Sequence, residues 1–408
     1  MTLKKCPVCG GSSTTRFLHR YPVPVHQNLV MADRVGAVAV SRGELDMQVC
    51  EGCGFVFNRA FDLSKLSYGQ DYDNTQSHSA YFDAYLNELV TQMVEVHGVR
   101  NVNVVEVGCG KGHFLRKLVQ AAGAGNQGFG FDPSYVGPDT DLDGQLVFRR
   151  CFYDASCSDV PADVVVCRHV IEHVPDPTQL LRAVRSALTN AAHARVFFET
   201  PCVDWILRNR VVWDFFYEHC SLFSSASLRL AFERTGFMVE RVTHVFGGQY
   251  LWLEARPANV LPATAINESV TGFIEGVGST YSTAVATATP ALAHDFGLAE
   301  YRLRHEWRAR LADLKLQGKL ALWGAGAKGV TFANLVDPDG VTLDCVVDIN
   351  PNKQGGFIPG TGHAIVAPET LSERNVRNVI LMNPNYRLEN LQLLRSTGSD
   401  ANLLNWSE

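Results

Sequence analysis

The chain has 408 residues, 46% of them hydrophobic and 19% charged, with a formal net charge of −6. That length exceeds what one hydrophobic core sustains and calls for two or three globular domains. The acid excess and the lack of a basic run exclude a binder that works by neutralising nucleic-acid phosphates. No stretch approaches the roughly 20 apolar residues of a membrane span, so neither nucleic acid nor membrane is expected as a partner.

No apolar leader core opens the chain, so a cytoplasmic location is expected, with the 11 cysteines reduced or metal-bound. Four of them form two pairs, Cys6-Pro7-Val8-Cys9-Gly10-Gly11 and Cys50-Glu51-Gly52-Cys53-Gly54-Phe55. In each knuckle a glycine after the second cysteine lets the chain turn its N–H groups toward the sulfurs. Two knuckles supply four thiolates, the donor set of a closed tetrahedral Zn2+ site. A redox C-x-x-C is the competing reading and lacks a thioredoxin-like context. A structural zinc lobe is therefore expected over residues 1–66, too small to bury a sufficient core unaided.

A polar stretch from Tyr68 to Phe82 follows, then a helix over Tyr81–Val96. The stretch, Tyr72 included, reads either as a cover for a cofactor or as a surface linker. Val102 to Val107 is a β-branched run that passes through Gly108, Gly110 and Gly112 into helical spacing at Phe114, Leu115, Leu118 and Val119. Strand, tight turn and helix start make a place where backbone approaches a ligand closely. The pattern resembles motif I of class I S-adenosylmethionine-dependent methyltransferases, with Glu106, Gly108 and Gly110 in the expected places. A second strand ends at Asp132, where a carboxylate can accept ribose hydroxyls. A third runs from Val147 to Asp154, with Asp154 assigned to the adenine amino group or to a plain turn. The fourth, Ala162–Cys167, leads into Arg168-His169-Val170-Ile171-Glu172-His173. His169 is assigned to the cofactor and His173 to catalysis, with Glu172 read as a turn and packing residue.

A fifth strand, Ala194–Pro201, precedes Trp213-Asp214-Phe215-Phe216-Tyr217-Glu218-His219. Aromatic neighbours lower the local dielectric, Glu218 can orient or charge the imidazole, and His219 is poised to move a proton near pH 7. Gly236–Val239 and Gln249–Glu254 read as a closing antiparallel pair. An Ala/Thr-rich helical connector leads to Leu320–Val330, a second strand, glycine turn and helix that satisfies G-x-G-x-x-G, with Asp348 about twenty residues on. Formally that is a nicotinamide motif. Lys328 at the helix entrance instead suits phosphates of any kind.

The order of parts resembles one family, the zinc-containing sugar C-methyltransferases that act on nucleotide-linked 4-keto deoxysugars in antibiotic pathways. The resemblance rests on the paired knuckles, the Glu218-His219 pair after the fifth strand, and the Gly324-Ala325-Gly326-Ala327-Lys328-Gly329 and Asp348-Ile349-Asn350-Pro351-Asn352-Lys353 segments. It implies an α/β fold with a central class I (Rossmann-like) methyltransferase domain, a small N-terminal zinc-binding lobe and a C-terminal Rossmann-like substrate-binding domain. The expected bounds are 1–66, 67–256, a connector over 257–316, and 317–408. It also implies S-adenosyl-L-methionine and Zn2+ as cofactors, a small-molecule acceptor and base catalysis by His219 with Glu218, Tyr217 and His173. Glu106, Gly108, Gly110, Asp132, Asp154, His169 and Tyr72 would hold the cofactor, and Cys6, Cys9, Cys50 and Cys53 the metal. One departure stands out: the family has a tyrosine two positions before the glutamate, where this chain has Phe216. Methylation of oxygen or nitrogen on another acceptor, or an NAD-dependent enzyme using the C-terminal turn, stay open at this level. The oligomeric state is open too, with a monomer as one reading.

Overall fold

The computed structural model describes residues 5–66, 78–258 and 288–407. The chain opens with β1 (Thr14–Pro24), a five-residue helix α1 (Arg34–Val38), β2 (Arg42–Cys50) and β3 (Val56–Asn58). These strands pair antiparallel in the order β1-β2-β3, and a fourth strand completes the sheet from far along the chain: β10 (Ser221–Leu222), directly after His219. The N-terminal lobe thus shares its sheet with the middle of the chain.

Helix α2 (Ala80–Thr91) starts where Ser79 accepts the Phe82 N–H at 3.2 Å, capping an orphan donor. Phe82, Leu86, Leu89 and Val90 bury the apolar face that the 3.6-residue period sets. Then come β4 (Asn103–Val107), α3 (His113–Gln120), β5 (Gln127–Phe131), β6 (Thr140–Asp141) and β7 (Leu146–Arg149). They are followed by β8 (Val164–Arg168), α4 (Pro177–Ala187), β9 (Arg195–Pro201), α5 (Val203–Arg208), α6 (Ser225–Glu233), β11 (Phe237–Val245) and β12 (Tyr250–Pro257). The sheet order is β11-β12-β9-β8-β4-β5-β7-β6, parallel from β7 through β9 and antiparallel at β12 and β11. Reversal of strand order beside β4 puts the ligand crevice at the carboxyl ends of β4, β5 and β8.

A 30-residue helix α7 (Ala288–Gln317) leads to the third sheet. That sheet contains β13 (Lys319–Trp323), β14 (Leu343–Val347), β15 (Ile365–Val366), β16 (Val376–Leu381) and β17 (Asn402–Asn405) in the parallel order β15-β14-β13-β16-β17. Its helices are α8 (Ala327–Val336), α9 (Thr370–Glu373) and α10 (Arg387–Ser396). The two Rossmann-like sheets face each other across their carboxyl ends. Gln249 Nε2 donates to Asn383 Oδ1 at 3.3 Å, and Glu389 of α10 caps α2 through the Ala80 N–H and Ser79 Oγ, both at 2.7 Å. Among the described residues no helix is long and apolar enough to cross a membrane.

Candidate active site

The glycine turn after β4 is left-handed at Gly108 (φ +68°) and Gly110 (φ +53°). A Cβ on Gly108 would lie 2.3 Å from Val170, so the glycine there serves close packing. Nothing lies within 4 Å of a Cβ on Gly110, so its backbone borders open space at the crevice. The Gly110 N–H donates to Asp132 Oδ2 at 2.9 Å, which fixes the acid from the end of β5 against the turn. Glu106, at the end of β4, is buried; desolvation pushes its carboxyl up to about 8, and Oε2 has no hydrogen-bond partner among the described residues. An orphaned acid beneath an open glycine turn fits a cationic ligand carrying a ribose, as S-adenosylmethionine does. Asp154 lies beyond the end of β7, and its Oδ1 accepts from the N–H of Ser156 at 2.9 Å and from its hydroxyl at 2.6 Å. That is the geometry of a capped turn. Tyr72 lies outside the described residues.

A dense ionic knot closes the far side of the crevice. Arg168, at the end of β8, makes two bonds to Glu199 of β9, at 3.1 and 3.2 Å, and Tyr85 of α2 donates to the same carboxylate at 3.0 Å. His169 has a left-handed backbone (φ +54°), with Nε2 2.7 Å from Glu199 and Nδ1 3.2 Å from Glu172. Burial opposes charge on this ring, but the two carboxylates outweigh it and raise its pKa to about 9. Burial likewise disfavours the Glu199 anion, and Arg168 and His169 reverse that, holding it down near about 2. Both ring nitrogens of His169 are therefore occupied by carboxylates, which corrects its assignment as a cofactor ligand: the ring belongs to the wall of the site. Arg168, Glu199 and Tyr85 were not singled out from the sequence. A glutamate ending the apolar run Val196-Phe197-Phe198 was the signal available.

His219 meets His173 edge to face at 4.8 Å and lies over the Phe216 ring at 4.0 Å. Ser221 Oγ donates to the Val174 carbonyl at 2.7 Å and ties the two histidine loops together. Burial, with His173, His169 and Lys328 nearby, holds the His219 pKa well below its ordinary value. Glu218 does not orient this ring. Its Oε2 accepts the Gln27 N–H at 2.8 Å, clamping the strap between β1 and α1 onto the loop. Tyr217 is likewise buried in the N-terminal lobe. Its hydroxyl accepts the Asp62 N–H at 2.8 Å, and its ring packs over Gly43, where a Cβ would lie 2.3 Å away. The expectation that Tyr217 takes part in catalysis is therefore corrected: it is an anchor turned away from the crevice.

Lys328 faces the same cleft from α8 but is not a free charge, since its Nζ lies 2.8 Å from Asp214 and 5.6 Å from the Trp205 ring centroid. Burial raises the Asp214 pKa, and Lys328 opposes that shift. In the C-terminal turn Asp348 Oδ2 accepts the Ala325 N–H at 2.8 Å, matching the bond between Asp132 and Gly110. Tyr250, at the start of β12, presents its ring to His169 at 4.6 Å.

In the N-terminal lobe the four knuckle sulfurs converge. Cys6 and Cys53 are 3.6 Å apart, Cys9 and Cys50 3.5 Å, and all four lie within 4.8 Å of one another. Ligands at the ~2.3 Å Zn–S bond length in a tetrahedron sit about 3.8 Å apart, so the spacing fits one metal ion. The Cys9 N–H points at Cys6 Sγ (3.5 Å) and the Gly11 N–H at Cys9 Sγ (3.4 Å), the donors a thiolate cluster needs. Contact with Cys50 and burial push the Cys6 thiol up to about 12, because these sulfurs cannot all ionise side by side without a cation.

Residues 78–242 match the family model described as a methyltransferase domain, and residues 282–400 the one described as a C-methyltransferase C-terminal domain. Together the two domains support an S-adenosylmethionine-dependent C-methyltransferase. It is 25% identical over 397 residues to the C-methyltransferase NovU of Streptomyces niveus, covering 95% of this chain and 91% of that one. Among solved structures it is similar to magnesium protoporphyrin IX methyltransferase of Synechocystis, at 17% identity over 47% of this chain and 90% of the other, with a TM-score of 0.33. The corresponding values for the 1,6-didemethyltoxoflavin-N1-methyltransferase of Burkholderia thailandensis are 14%, 50%, 96% and 0.33.

Proposed function

We propose that this C-methyltransferase methylates a carbon beside the ketone of a nucleotide-linked keto sugar, with His219 as the base. The observation that carries the reading is a half-buried imidazole set edge to face against His173 beside the carboxyl ends of β8 and β9, its pKa held low by desolvation and the nearby cations. S-adenosylmethionine supplies an electrophilic methyl group on a sulfonium; Gly108, Gly110, Asp132 and Glu106 are the residues that would hold it. His219 removes the proton next to the ketone and the electron pair passes to the carbonyl oxygen; the enolate carbon would then take the methyl group in line as its bond to sulfur breaks and the pair returns to sulfur, leaving the neutral thioether. A carbon acid of this kind is far weaker than imidazolium, so the site must also stabilise the enolate oxygen. The charge favoured on His169 and a donor from His173 or Tyr250 are suited to that, and Tyr217 is too distant in role to contribute. Positioning supplies much of the remainder.

The cleft between the two carboxyl edges suits an acceptor that extends beyond the reacting ring. Trp205 offers a flat face, and the pairing of Lys328 with Asp214 leaves the backbone N–H groups at the start of α8 as the better phosphate donors. We assign no nicotinamide role to the C-terminal turn. Its Gly326 lies against Asn28 of the N-terminal strap, 3.7 Å from the position of a Cβ. The four thiolates would hold one structural Zn2+, with no water position needed once four sulfurs are bound.

Incubating enzyme and a keto-sugar nucleotide in deuterated water should place deuterium on the carbon beside the ketone. His219→Asn should abolish that exchange and lower turnover by roughly 10²–10⁴-fold with cofactor affinity near normal. A His219→Asn variant that still exchanges at the wild-type rate would remove His219 from the role.

A further inference from the structure

Two carboxylates lie near the histidine pair in sequence, and the fold sends them to different places. Glu218 is fully buried with its oxygens toward the strap, one on the Gln27 N–H at 2.8 Å and the other 3.6 Å from His26 Nδ1. Glu172 is equally buried, but its carboxylate shares one small volume with the imidazoles. One oxygen of Glu172, one ring nitrogen of His173 and one of His219 lie within 4.8 Å of each other. The carboxylate is held from two sides, by the Thr200 hydroxyl at 3.1 Å and by His169 Nδ1 at 3.2 Å.

We propose that Glu172, and not Glu218, is the positioning carboxylate of the His173–His219 pair and the counter-charge for the imidazolium formed during catalysis. This rests on the reading of His219 as the base. When a lone pair of His219 forms its N–H bond, the C–H bond of the acceptor breaks and its electrons move to the carbonyl oxygen. A cation then appears in a site that already holds Arg168 and His169 on the β8 loop and Lys328 across the cleft. Of the anions facing it, Glu199 is engaged by Arg168 and His169, and Asp214 by Lys328. Burial keeps the neighbouring thiols protonated, Cys220 pushed up to about 12 and Cys167 well above its ordinary value, and keeps the Tyr250 phenol neutral. Glu172 is also bonded to His169, but it is the carboxylate with an oxygen within 4.8 Å of ring nitrogens of both His173 and His219. The neighbour in sequence, Glu218, is committed to holding the strap.

The test uses the full-length protein with ¹⁵N-labelled histidine. The ring nitrogens are followed by long-range ¹H–¹⁵N spectra across a pH titration, with His173→Gln and His219→Asn providing assignments. An opposite charge within ~4–6 Å shifts a pKa by roughly one unit or more. Glu172→Gln should therefore lower the midpoints of the pair by about that amount and alter their tautomers, whereas Glu218→Gln should leave them in place. In kinetics the acid limb of the kcat/KM profile of Glu172→Gln should move to lower pH, because a weaker base stays neutral further down. Its kcat should fall about 10–100-fold with an unchanged KM for S-adenosylmethionine. Should Glu172→Gln not fold, Glu172→Asp keeps the charge one methylene further away and should move the midpoints in the same direction by less. Midpoints that follow Glu218→Gln and ignore both Glu172 variants overturn the proposal. The spectra need no acceptor, so a failure of His219 as base, read from deuterium exchange, is a separate result.

Discussion

Binding of S-adenosylmethionine should release a proton from Glu106. Without ligand this carboxyl is pushed up to about 8 by burial, against a usual value of 4.5, and its Oε2 has no hydrogen-bond partner among the described residues. A bound sulfonium and ammonium favour the anion and would return the pKa toward the ordinary carboxylate range. At pH 6.5, below the titration of an α-amino group near ~7.8, binding should then expel about 0.9 proton. The ligand selects the ionised form, so affinity rises with pH, by roughly twenty-fold from pH 6 to 7.5 for a full return to the ordinary value. The same sign governs folding. The folded pKa lies above the unfolded one, so the contribution of Glu106 to stability without ligand falls as pH climbs from about 4.5 toward 8, and stabilisation by the cofactor grows across that window. Calorimetric titration in buffers of different ionisation enthalpy counts the proton directly, and Glu106→Gln should abolish both the release and the pH dependence. A wild-type protein that releases no proton at pH 6.5 and binds equally well from pH 6 to 7.5 would refute the placement of Glu106 under the cofactor.

Metal analysis should find one zinc per chain in the wild type and none in Cys50→Ser/Cys53→Ser, which should also lose secondary structure in the N-terminal lobe. Asp132→Ala should weaken S-adenosylmethionine binding by roughly 1–3 kcal/mol through lost charge-assisted bonds, measured by calorimetry; unchanged affinity would place the ribose elsewhere. Tyr217→Phe removes the hydroxyl that accepts the Asp62 N–H and should cost about 1–2 kcal/mol in denaturant unfolding while leaving the acid limb of the kcat/KM profile where it is. A displaced limb would return Tyr217 to the reacting groups.

The methyltransferase sheet was legible because its signals are local. Val102 to Val107 is a buried-strand run, three glycines supply the left-handed turn, and Asp132 follows at the end of the next strand. The closing pair of β11 and β12 was equally readable from residues 236–239 and 249–254. The Cys6–Cys9 and Cys50–Cys53 knuckles carried their geometry in their own spacing, and the sulfurs do converge. Arg168, Glu199 and Tyr85 were not legible, because an ionic knot among three separate elements leaves no periodic trace in any of them.

The sequence by itself determined the strands, the glycine turns and the class of cofactor, since these depend on the conformational limits of residues close together in the chain. The tertiary structure decided which side chains face the cleft. Tyr217-Glu218-His219 reads as one catalytic set, yet the turn into β10 sends Tyr217 to Asp62 and Glu218 to Gln27, leaving His219 alone in the cleft. Successive side chains on an extended or turning segment point in different directions. Which direction enters the cleft was fixed only when Ser221–Leu222 paired with Val56–Phe57 and drew the loop against the N-terminal lobe. Glu172 reached the imidazoles by the same event, through the bond from Ser221 Oγ to the Val174 carbonyl, a contact between segments whose separation in sequence gave no local signal.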